Sequence, residues 1–470
     1  MKRRPARVWV LAVGLSVGAV ALAAAQDAPS NDAPPSTDTH VDSAVEHRVA
    51  VPPSLRKFER TMAGDMREIE SETATWLDQN YMTGNWDGVR NRLNDWGVIP
   101  TATYVADIQG NPTGGLIHKL RYVHDIGVDL VLDMQRMIGW PGAHFHVSMS
   151  SRAGNDLSAD IGNAFTVAQS CCQLTTRLVT LAYEQSLLEH RLNIRLGRIS
   201  TGDDFLTSRL YWLFVNNGFD GNPLAVQLNV PYFTYPNAAW GARVRARPLP
   251  DVYVAAGVYD GNPAVTANSA HGVDFSFGGD GVLLAFEAGY EPAHHSDDGG
   301  LPGHYKIGGY YHTGRFCRFL FGFPSDDCPQ PSEAEYGNGG YYILLDQMVY
   351  REAGSQGLWP FVPLLFAPNK EISTYPFFFS GGLTYEGLIP GRDQDIAVAG
   401  VVYGSYSSAL RATQVGSAKQ DFEMVVEWGY IITLAPWLHI QPDMQYVIKP
   451  GGTGTIPDSF VIGAQIAANI

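Results

Sequence analysis

The chain has 470 residues, a formal net charge of −15 and a sequence pI of about 5.2, with 17% charged residues, 50 glycines and 29 prolines. This composition is typical of a large, ordered β protein with many turns, and it argues against a disordered chain or a helical bundle. The acidic total also argues against a nucleic-acid-binding protein, because such a protein usually carries a basic surface.

The N-terminus has the pattern of an export signal. A positively charged stretch at residues 2–7 is followed by an apolar run at 8–22 and by the small residues Ala23-Ala-Ala25. The pattern predicts a signal peptide over residues 1–25 that is cleaved near Ala25. No later segment approaches twenty uninterrupted apolar residues, so a mature chain that crosses a membrane must do so with strands.

Two helices are predicted between the signal peptide and the first strand. Residues 26–54 are rich in Pro, Asp, Ser and Thr, which predicts a disordered linker. Residues 55–79 have helical composition and are interpreted as a short periplasmic helix, either a solvated linker or a segment that self-associates. Further on, Trp86, Val89, Leu93 and Trp96 recur at helical spacing before Gly97, which predicts a second, amphipathic helix.

From Pro100 onward the hydrophobic period changes from 3.6 to 2, which indicates β-strands. About sixteen are predicted, at Thr101–Ile108, Leu120–Met134, Ala143–Ser150, Arg177–Ser186, Leu192–Ser200, Ala238–Arg247, Val252–Tyr259, Val282–Tyr290, His304–Tyr311, Gly340–Tyr350, Leu358–Ala367, Phe377–Leu388, Asp395–Tyr406, Asp421–Tyr430, Leu438–Ile448 and Ser459–Ile470.

The connections between these strands alternate between short turns and long loops rich in Gly, Asn and Asp. Short turns fall, for example, at 188–191, 248–251 and 434–437, and only the stretch 291–303 breaks the alternation. Short turns at one rim and long loops at the other are typical of bacterial outer-membrane barrels. The predicted fold is therefore all-β: a transmembrane antiparallel β-barrel of about 16 strands over residues 80–470, with a short N-terminal helical periplasmic segment.

Side-chain alternation along the strands predicts a wet interior. In the stretch 240–247, Arg243, Arg245 and Arg247 share one face of the strand, opposite small apolar residues. Glu423 and Glu427 likewise oppose an apolar face of their own strand. Burying such charges unpaired in a dry core would cost several kcal/mol each, so the lumen should be hydrated.

Six motifs occur in the same order as in one known family. They are Thr83-Gly-Asn-Trp-Asp-Gly-Val-Arg-Asn-Arg-Leu93, Gly110-Asn-Pro-Thr-Gly-Gly115, Gly197-Arg-Ile-Ser-Thr-Gly-Asp-Asp-Phe205, Tyr235-Pro-Asn-Ala-Ala-Trp-Gly-Ala-Arg-Val-Arg245, Gly257-Val-Tyr-Asp-Gly-Asn-Pro263 and Leu434-Ala-Pro-Trp-Leu-His-Ile-Gln-Pro-Asp-Met-Gln-Tyr446. From about Thr83 to the C-terminus, the chain resembles the carbohydrate-selective porins (OprB type) of Gram-negative outer membranes.

The resemblance implies a sixteen-stranded barrel in the outer membrane that passes monosaccharides and related polyols by facilitated diffusion. It also implies that inward-folded loops form a constriction. The chain departs from the family pattern where the loop after Asp204 often carries a cysteine pair, and it ends in Ile470 rather than in an aromatic residue.

Candidate pore-lining residues combine hydrogen-bond donors, acceptors and aromatic surfaces, which suit neutral sugars. We expect the long loop at 201–237 to fold inward and narrow the pore. The candidates are Arg243, Arg245, Arg247, Asp107, Asp203, Asp204, Arg209, Trp212, Asn216, Asn217, Glu423 and Glu427. The arginines could bind solute, or could only order lumen water and pair with neighbouring carboxylates.

Four cysteines in an exported chain favour disulfides. A bridge between Cys317 and Cys328 is the first choice, whereas Cys171 and Cys172 could pair with each other, pair across loops or stay reduced. The clusters at His144-x-His146 and His294-His295 lack an identifiable third ligand, so no metal or other cofactor is predicted.

No catalytic constellation stands out in the sequence, and an enzyme is not predicted. The predicted partners are monosaccharides or polyols and outer-membrane lipid, with homo-oligomerisation left open and nucleic acid excluded. An anion-selective or general porin is the alternative within the same class. An outer-membrane structural or adhesion barrel is the alternative from a different class.

Overall fold

The structure, a computed structural model, describes residues 75–172, 174–219, 222–275, 278–292, 300–320 and 331–470. The predicted signal peptide, the linker and most of the helix expected at 55–79 lie outside these residues and stay predictions. Among the described residues, no helix has the length and apolar character needed to cross a membrane.

Within the described residues, seventeen antiparallel strands form one sheet that closes on itself. They are β1 Val98–Thr113, β2 Leu120–Asp133, β3 Ala143–Gly154, β4 Thr176–Leu187, β5 Leu192–Ile199, β6 Ala239–Leu249, β7 Val252–Asp260, β8 Val282–Tyr290, β9 Gly303–Cys317, β10 Ala334–Gln347, β11 Tyr350–Arg351, β12 Gly357–Phe366, β13 Phe377–Glu386, β14 Ile396–Ser405, β15 Phe422–Ala435, β16 Leu438–Ile448 and β17 Ser459–Asn469. β1 pairs with both β2 and β17, which closes the ring, and the two-residue β11 pairs only with β12. The barrel itself therefore has sixteen strands, as predicted.

Short helices lie in the connections. They are α1 Val89–Asp95, α2 Met134–Ile138, α3 Ser158–Ile161, α4 Thr201–Asp204, α5 Ala225–Asn229 and α6 Ser408–Thr413. Single 3-10 turns occur at Trp76–Asp78, Arg209–Leu213, Pro263–Thr266, Asn268–Ala270, Pro331–Glu333, Gly416–Ala418 and Pro450–Gly452. Of the helix predicted at 55–79, only residues 75–79 are described, and they contain the 3-10 turn at Trp76–Asp78.

The sixteen barrel strands coincide with the sixteen predicted ones, and β8 and β16 match residue for residue. Differences lie mainly at the ends: β9 and β10, for instance, each extend six residues beyond the prediction, into the long-loop side. The irregular connection after β8 lies on the short-turn rim, and residues 293–299 within it lie outside the described part.

As the alternation in the sequence predicts, side chains along each strand point in turn to the outer and the inner face of the barrel wall. On β6, for example, Val244 is 43% exposed on the outer face while Arg243 is buried on the inner one. On β16, Met444 is exposed while Gln445 is fully buried. An apolar outer face and a polar inner face are what a barrel in lipid requires.

α1 is amphipathic, as the sequence predicted, but its orientation is the reverse of a helix that packs on a core. Its buried residues are Arg90, Asn91 and Asn94. Trp96, of the predicted apolar stripe, is 66% exposed, and Trp86 is also exposed. The polar face turns to the barrel because it satisfies the end of the last strand, where Arg90 donates to the Ile470 carbonyl at 3.1 Å.

Candidate functional site

Residues 200–219 and 222–238, between β5 and β6, fold into the lumen and are called the inner segment here. Its backbone donates to carboxylates of distant wall strands: the Leu206 N–H to Glu287 at 3.0 Å, and the Val215 N–H to Glu427 at 2.6 Å. Gln441 of β16 donates in turn to the Leu213 carbonyl at 2.8 Å. The inner segment therefore crosses the barrel interior, as expected of the loop at 201–237.

Apolar packing fixes one side of the inner segment against the wall. Phe214 and Phe219 stack with ring centroids 4.0 Å apart, and Phe214 meets Phe361 of β12 edge-on at 5.4 Å. The wall makes room for these rings with Gly400, where an added Cβ would lie 2.7 Å from both of them. Burial of each such ring stabilises the inward fold by about 2–3 kcal/mol.

Arg243, Arg245 and Arg247, here called the arginine ladder, lie on the lumen face of β6. Arg243 is buried, and its Nε and Nη2 lie 2.9 and 2.8 Å from the Asp204 carboxylate. Arg245 is half-buried, donates to the Asp204 carbonyl at 3.1 Å and stands 4.7 Å over the Tyr253 ring. Arg247 is half-buried.

Arg247 pairs with Glu291 at 2.7 Å, beyond the end of β8. Burial by itself would raise the pKa of Glu291, but the positive charges of Lys306, Arg247 and His304 lower that pKa to about 2. Glu291 is therefore a carboxylate at any physiological pH, and the charge of Arg247 is balanced.

The sequence reasoning missed Arg195. It pairs in register with Arg243, and its Nη1 lies 3.6 Å from the Asp203 carboxylate and 3.7 Å from that of Asp204. The neighbouring Asn193 side chain accepts a hydrogen bond from Arg243. The same alternation that identified the ladder, applied to Leu192–Ile199, would have placed Asn193 and Arg195 on the lumen face. Asp203 itself is exposed.

Glu423 and Glu427 are fully buried, so neither side chain is accessible to a solute in the lumen. Glu423 accepts from three backbone N–H groups, of Ala164, Phe165 and Gly451, at 2.6–2.9 Å. Glu427 accepts from Val215 and, at 3.0 Å, from Asn216. Each carboxylate fastens inward-folded loop backbone to β15.

Three further candidates are also buried in hydrogen-bond networks. Asp107 accepts from Gln465 at 2.9 Å. Asn216 donates to Gln445 at 2.9 Å, and the Asn217 backbone donates to the Thr166 carbonyl at 2.8 Å. Asn216 thus joins the inner segment to β16, Asn217 joins it to the loop before β4, and Asp107 joins the wall strands β1 and β17.

The last two candidates carry aromatic and cationic surface on the inner segment. The Arg209 guanidinium stands 4.7 Å over the Trp359 ring of β12. Trp212 is half-buried, three residues further along the same 3-10 turn.

Cys171 and Cys172 are joined by a disulfide, which settles the alternatives that their adjacency left open. Cys328 lies outside the described residues, so its bridge to Cys317 stays a prediction. His294 and His295 also lie outside the described residues. Within the described ranges, no group of three or more His, Cys, Asp or Glu residues could hold a metal ion.

Comparison with known proteins agrees with this geometry. Porin B of Pseudomonas aeruginosa is 25% identical over 421 residues, which cover 83% of this chain and 91% of the relative. The putative porin QuiX of Acinetobacter baylyi is 22% identical over 426 residues, with 83% and 93% covered. The high-pH structure of Pseudomonas putida OprB shares the fold, with a TM-score of 0.77 at 24% identity, covering 84% of this chain and 100% of that one.

A match to the carbohydrate-selective porin, OprB family, extends over residues 117–469. It runs from the loop after β1 to the end of β17, and so includes the inner segment, the arginine ladder and Glu291. The chain therefore belongs to the OprB family of carbohydrate-selective porins, which are outer-membrane channels and not enzymes.

Proposed function

We propose that this porin passes monosaccharides and related small polyols by facilitated diffusion along the arginine-lined side of its lumen. One observation carries the proposal: the inner segment sets Asp203 and Asp204 against Arg195 and the arginine ladder. Hydrogen-bond donors and acceptors thus lie side by side over a short stretch of the barrel wall. Neutral sugars offer hydroxyls of both kinds, so they match such a surface.

The candidate residues divide into two groups under this proposal. Asp107, Asp204, Asn216, Asn217, Arg243, Glu423 and Glu427 are buried and keep the constriction in shape. Asp203, Arg209, Trp212, Arg245 and Arg247 keep partial exposure and contact the solute. A guanidinium presents its donors in a fixed plane, and an aromatic ring binds the apolar face of a pyranose. Each contact is weak, as release requires.

Charge pairing favours neutral solutes over anions. Arg243 is neutralised by Asp204 and Arg247 by Glu291, while Asp203 lies beside Arg195. An anion-selective pore needs uncompensated cations at its constriction. Measuring the reversal potential of a single channel in a salt gradient distinguishes the two, because strong anion preference would contradict the proposal.

Liposome swelling with the purified protein tests the proposal directly. We expect fast swelling with glycerol, sorbitol and glucose, and a drop of at least tenfold at a trisaccharide. Equal rates for all of these would indicate a general porin. A barrel without measurable conductance would indicate a structural or adhesion protein.

Export is part of the same proposal, with the signal peptide removed near Ala25 so that the mature chain begins near Gln26. N-terminal sequencing of the protein isolated from outer membranes checks this. An intact Met1 would contradict it.

A further inference from the structure

α1 turns its apolar side away from the protein. Arg90, Asn91 and Asn94 are buried against the barrel end, whereas Val89 and Trp96 are exposed and Leu93 is half-buried between them. Trp86 continues this stripe before the helix begins and is 41% exposed. A helix in water normally buries its apolar stripe and exposes its polar one. The reversed arrangement calls for an apolar environment on the outer side of α1.

The inward side of α1 is held too firmly for the helix simply to turn over. The Arg90 guanidinium lies 3.8 Å from the centre of the Tyr81 ring and 4.2 Å from that of Trp86. It donates to the Gly84 and Ile470 carbonyls, at 3.1 Å each. Rotating α1 to hide Trp96 would strip the buried Arg90 of these partners, at a cost of several hydrogen bonds to a charged group.

The neighbouring turn of the barrel enlarges the same apolar surface. α2 in the β2–β3 connection exposes Met137 and Ile138, the latter by 66%. The turn is fixed to α1 because Arg136 donates to the Asn94 carbonyl at 3.2 Å and the Asp133 N–H donates to the Gly97 carbonyl at 2.8 Å. Trp86, Val89, Leu93, Trp96, Met137 and Ile138 together are called the rim patch.

The rim patch continues into the lipid-facing wall. Directly after α2, Trp140 is exposed and lies 5.6 Å from the Tyr183 ring, which in turn lies 5.2 Å from Phe145 on the outer face of β3. Aromatic side chains at this level of a barrel mark the boundary between acyl chains and headgroups. The patch thus begins where the membrane surface is expected, on the short-turn rim.

We infer that the rim patch docks on the periplasmic leaflet of the outer membrane, with its apolar side chains at the level where headgroups meet acyl chains. Tryptophans favour this level, and a contiguous apolar patch is rarely left in water. Arg92 on α1 is exposed, so its guanidinium can reach lipid phosphates. α1 would then fix the rotation and depth of the barrel's N-terminal edge in the bilayer. The inference is independent of which solute the pore carries.

Fluorine NMR of the full-length porin labelled with 5-fluorotryptophan, in nanodiscs of phosphatidylethanolamine and phosphatidylglycerol, tests the inference. Single Trp→Phe replacements assign the signals. Trp428, exposed on the outer face of β15, is the control for lipid contact, and Trp437, 3% exposed at the same rim as α1, is the control for burial.

With a spin label on the lipid acyl chain near the headgroup, we expect the Trp86 and Trp96 signals to broaden at least threefold more than the Trp437 signal. The Trp428 signal should broaden to a similar extent as those of Trp86 and Trp96. A water-soluble gadolinium chelate should broaden them far less. Broadening by the chelate but not by the lipid would place the patch in water. Protection from both would mean that residues 1–74 or a second copy cover it. Either result overturns the inference.

Val89→Gln combined with Leu93→Gln weakens the apolar stripe without touching the Arg90 contacts. We expect the lipid-induced broadening of Trp96 to fall at least twofold while that of Trp428 stays constant, which also shows that the barrel has folded. Asp95→Asn, an exposed change on the same helix, should leave both signals unaffected. An unchanged Trp96 signal in the Gln variant would contradict docking through this face.

Discussion

Arg243 and Arg245 lie two residues apart on the lumen face of β6, yet their different environments imply different roles. Arg243 is buried in a pair with Asp204, and both side chains are less than a tenth exposed. Arg245 donates to the Asp204 backbone carbonyl, stands over the face of Tyr253 and is only half-buried. Alternation along a strand reveals the shared face but not this division, because Asp204 comes from the inner segment.

The two arginines should therefore differ sharply when each is replaced by alanine. Arg245→Ala should lower glucose flux in liposome swelling several-fold while single-channel conductance changes little, because the constriction keeps its shape. Arg243→Ala removes the closer of the two guanidiniums beside the buried Asp204 and leaves only Arg195, 3.7 Å away, which costs about 1–3 kcal/mol. That variant should show raised, noisy conductance and poorer discrimination by solute size. Parallel loss of glucose flux and conductance in Arg245→Ala would mean that this arginine only lines the pore.

Glu291 gives a pH test of charge balance at the ladder. Because the pKa of Glu291 is lowered from 4.5 to about 2, any stability from its charge is complete above about pH 4.5 and is lost as the pH falls toward 2. We expect Glu291→Gln to shift ion selectivity toward anions, by leaving Arg247 uncompensated. The difference between wild type and variant, measured as reversal potential, should be the same at pH 7 and pH 4. A difference that vanishes at pH 4 would show that Glu291 titrates normally.

Among the elements, the inner segment depends most on carboxylates of the wall. Its apolar rings are recognisable in the sequence, and an inward fold was predicted from length and composition. The hydrogen bonds that hold the inner segment to the wall were not predicted, since Glu427 and Val215 are 212 residues apart in the chain. A period-2 pattern places Glu423 and Glu427 inside the barrel, but it cannot tell whether water or a loop backbone meets them there.

Removing Glu427 should loosen the inner segment. Glu427→Ala leaves the Val215 and Asn216 N–H groups without their acceptor, at about 1–3 kcal/mol each. We expect larger conductance with more frequent fluctuations in planar bilayers. Glu386→Ala is the matched control, because that buried carboxylate accepts from Ser355 in a short-rim connection. Identical traces for the two variants would refute this role of Glu427.

Contacts around Arg90 join the two ends of the described chain. Besides Arg90 donating to Ile470, the Met82 N–H donates to the Asn469 carbonyl at 2.8 Å, and Trp76 lies 4.4 Å from Trp437. Arg90→Ala should destabilise the barrel by about 2–4 kcal/mol through lost cation–π contacts and charged hydrogen bonds. The measurement is the temperature at which the folded band disappears on electrophoresis. Arg92→Ala, an exposed neighbour, should not change that temperature.

At the scale of the whole molecule, the sequence predicted the barrel because every strand obeys the same local rule. Side chains alternate, the outer face is apolar, and turn lengths alternate around the ring except after β8. The orientation of α1 was not predictable by that rule, since its polar face is buried where the Ile470 carbonyl, just after β17, accepts a hydrogen bond from Arg90. Likewise, which side of the lumen stays open depends on where the inner segment packs.

The inner segment packs against β12–β14 and leaves Asp203 exposed beside β5 and β6, and this difference predicts where solute travels. Phe214, Phe219 and their neighbours pack against β12–β14, and Ser380 on the inner face of β13 is 0% exposed. Asp203, on the side of β5 and β6, is exposed. In a variant without reactive native thiols, Asp203→Cys should react rapidly with a bulky cationic thiosulfonate, and conductance should fall by half or more. Ser380→Cys should stay unlabelled until the barrel is unfolded. If instead Ser380→Cys reacts first and blocks the current, the permeation path follows β12–β14, and the arginine ladder cannot select the solute.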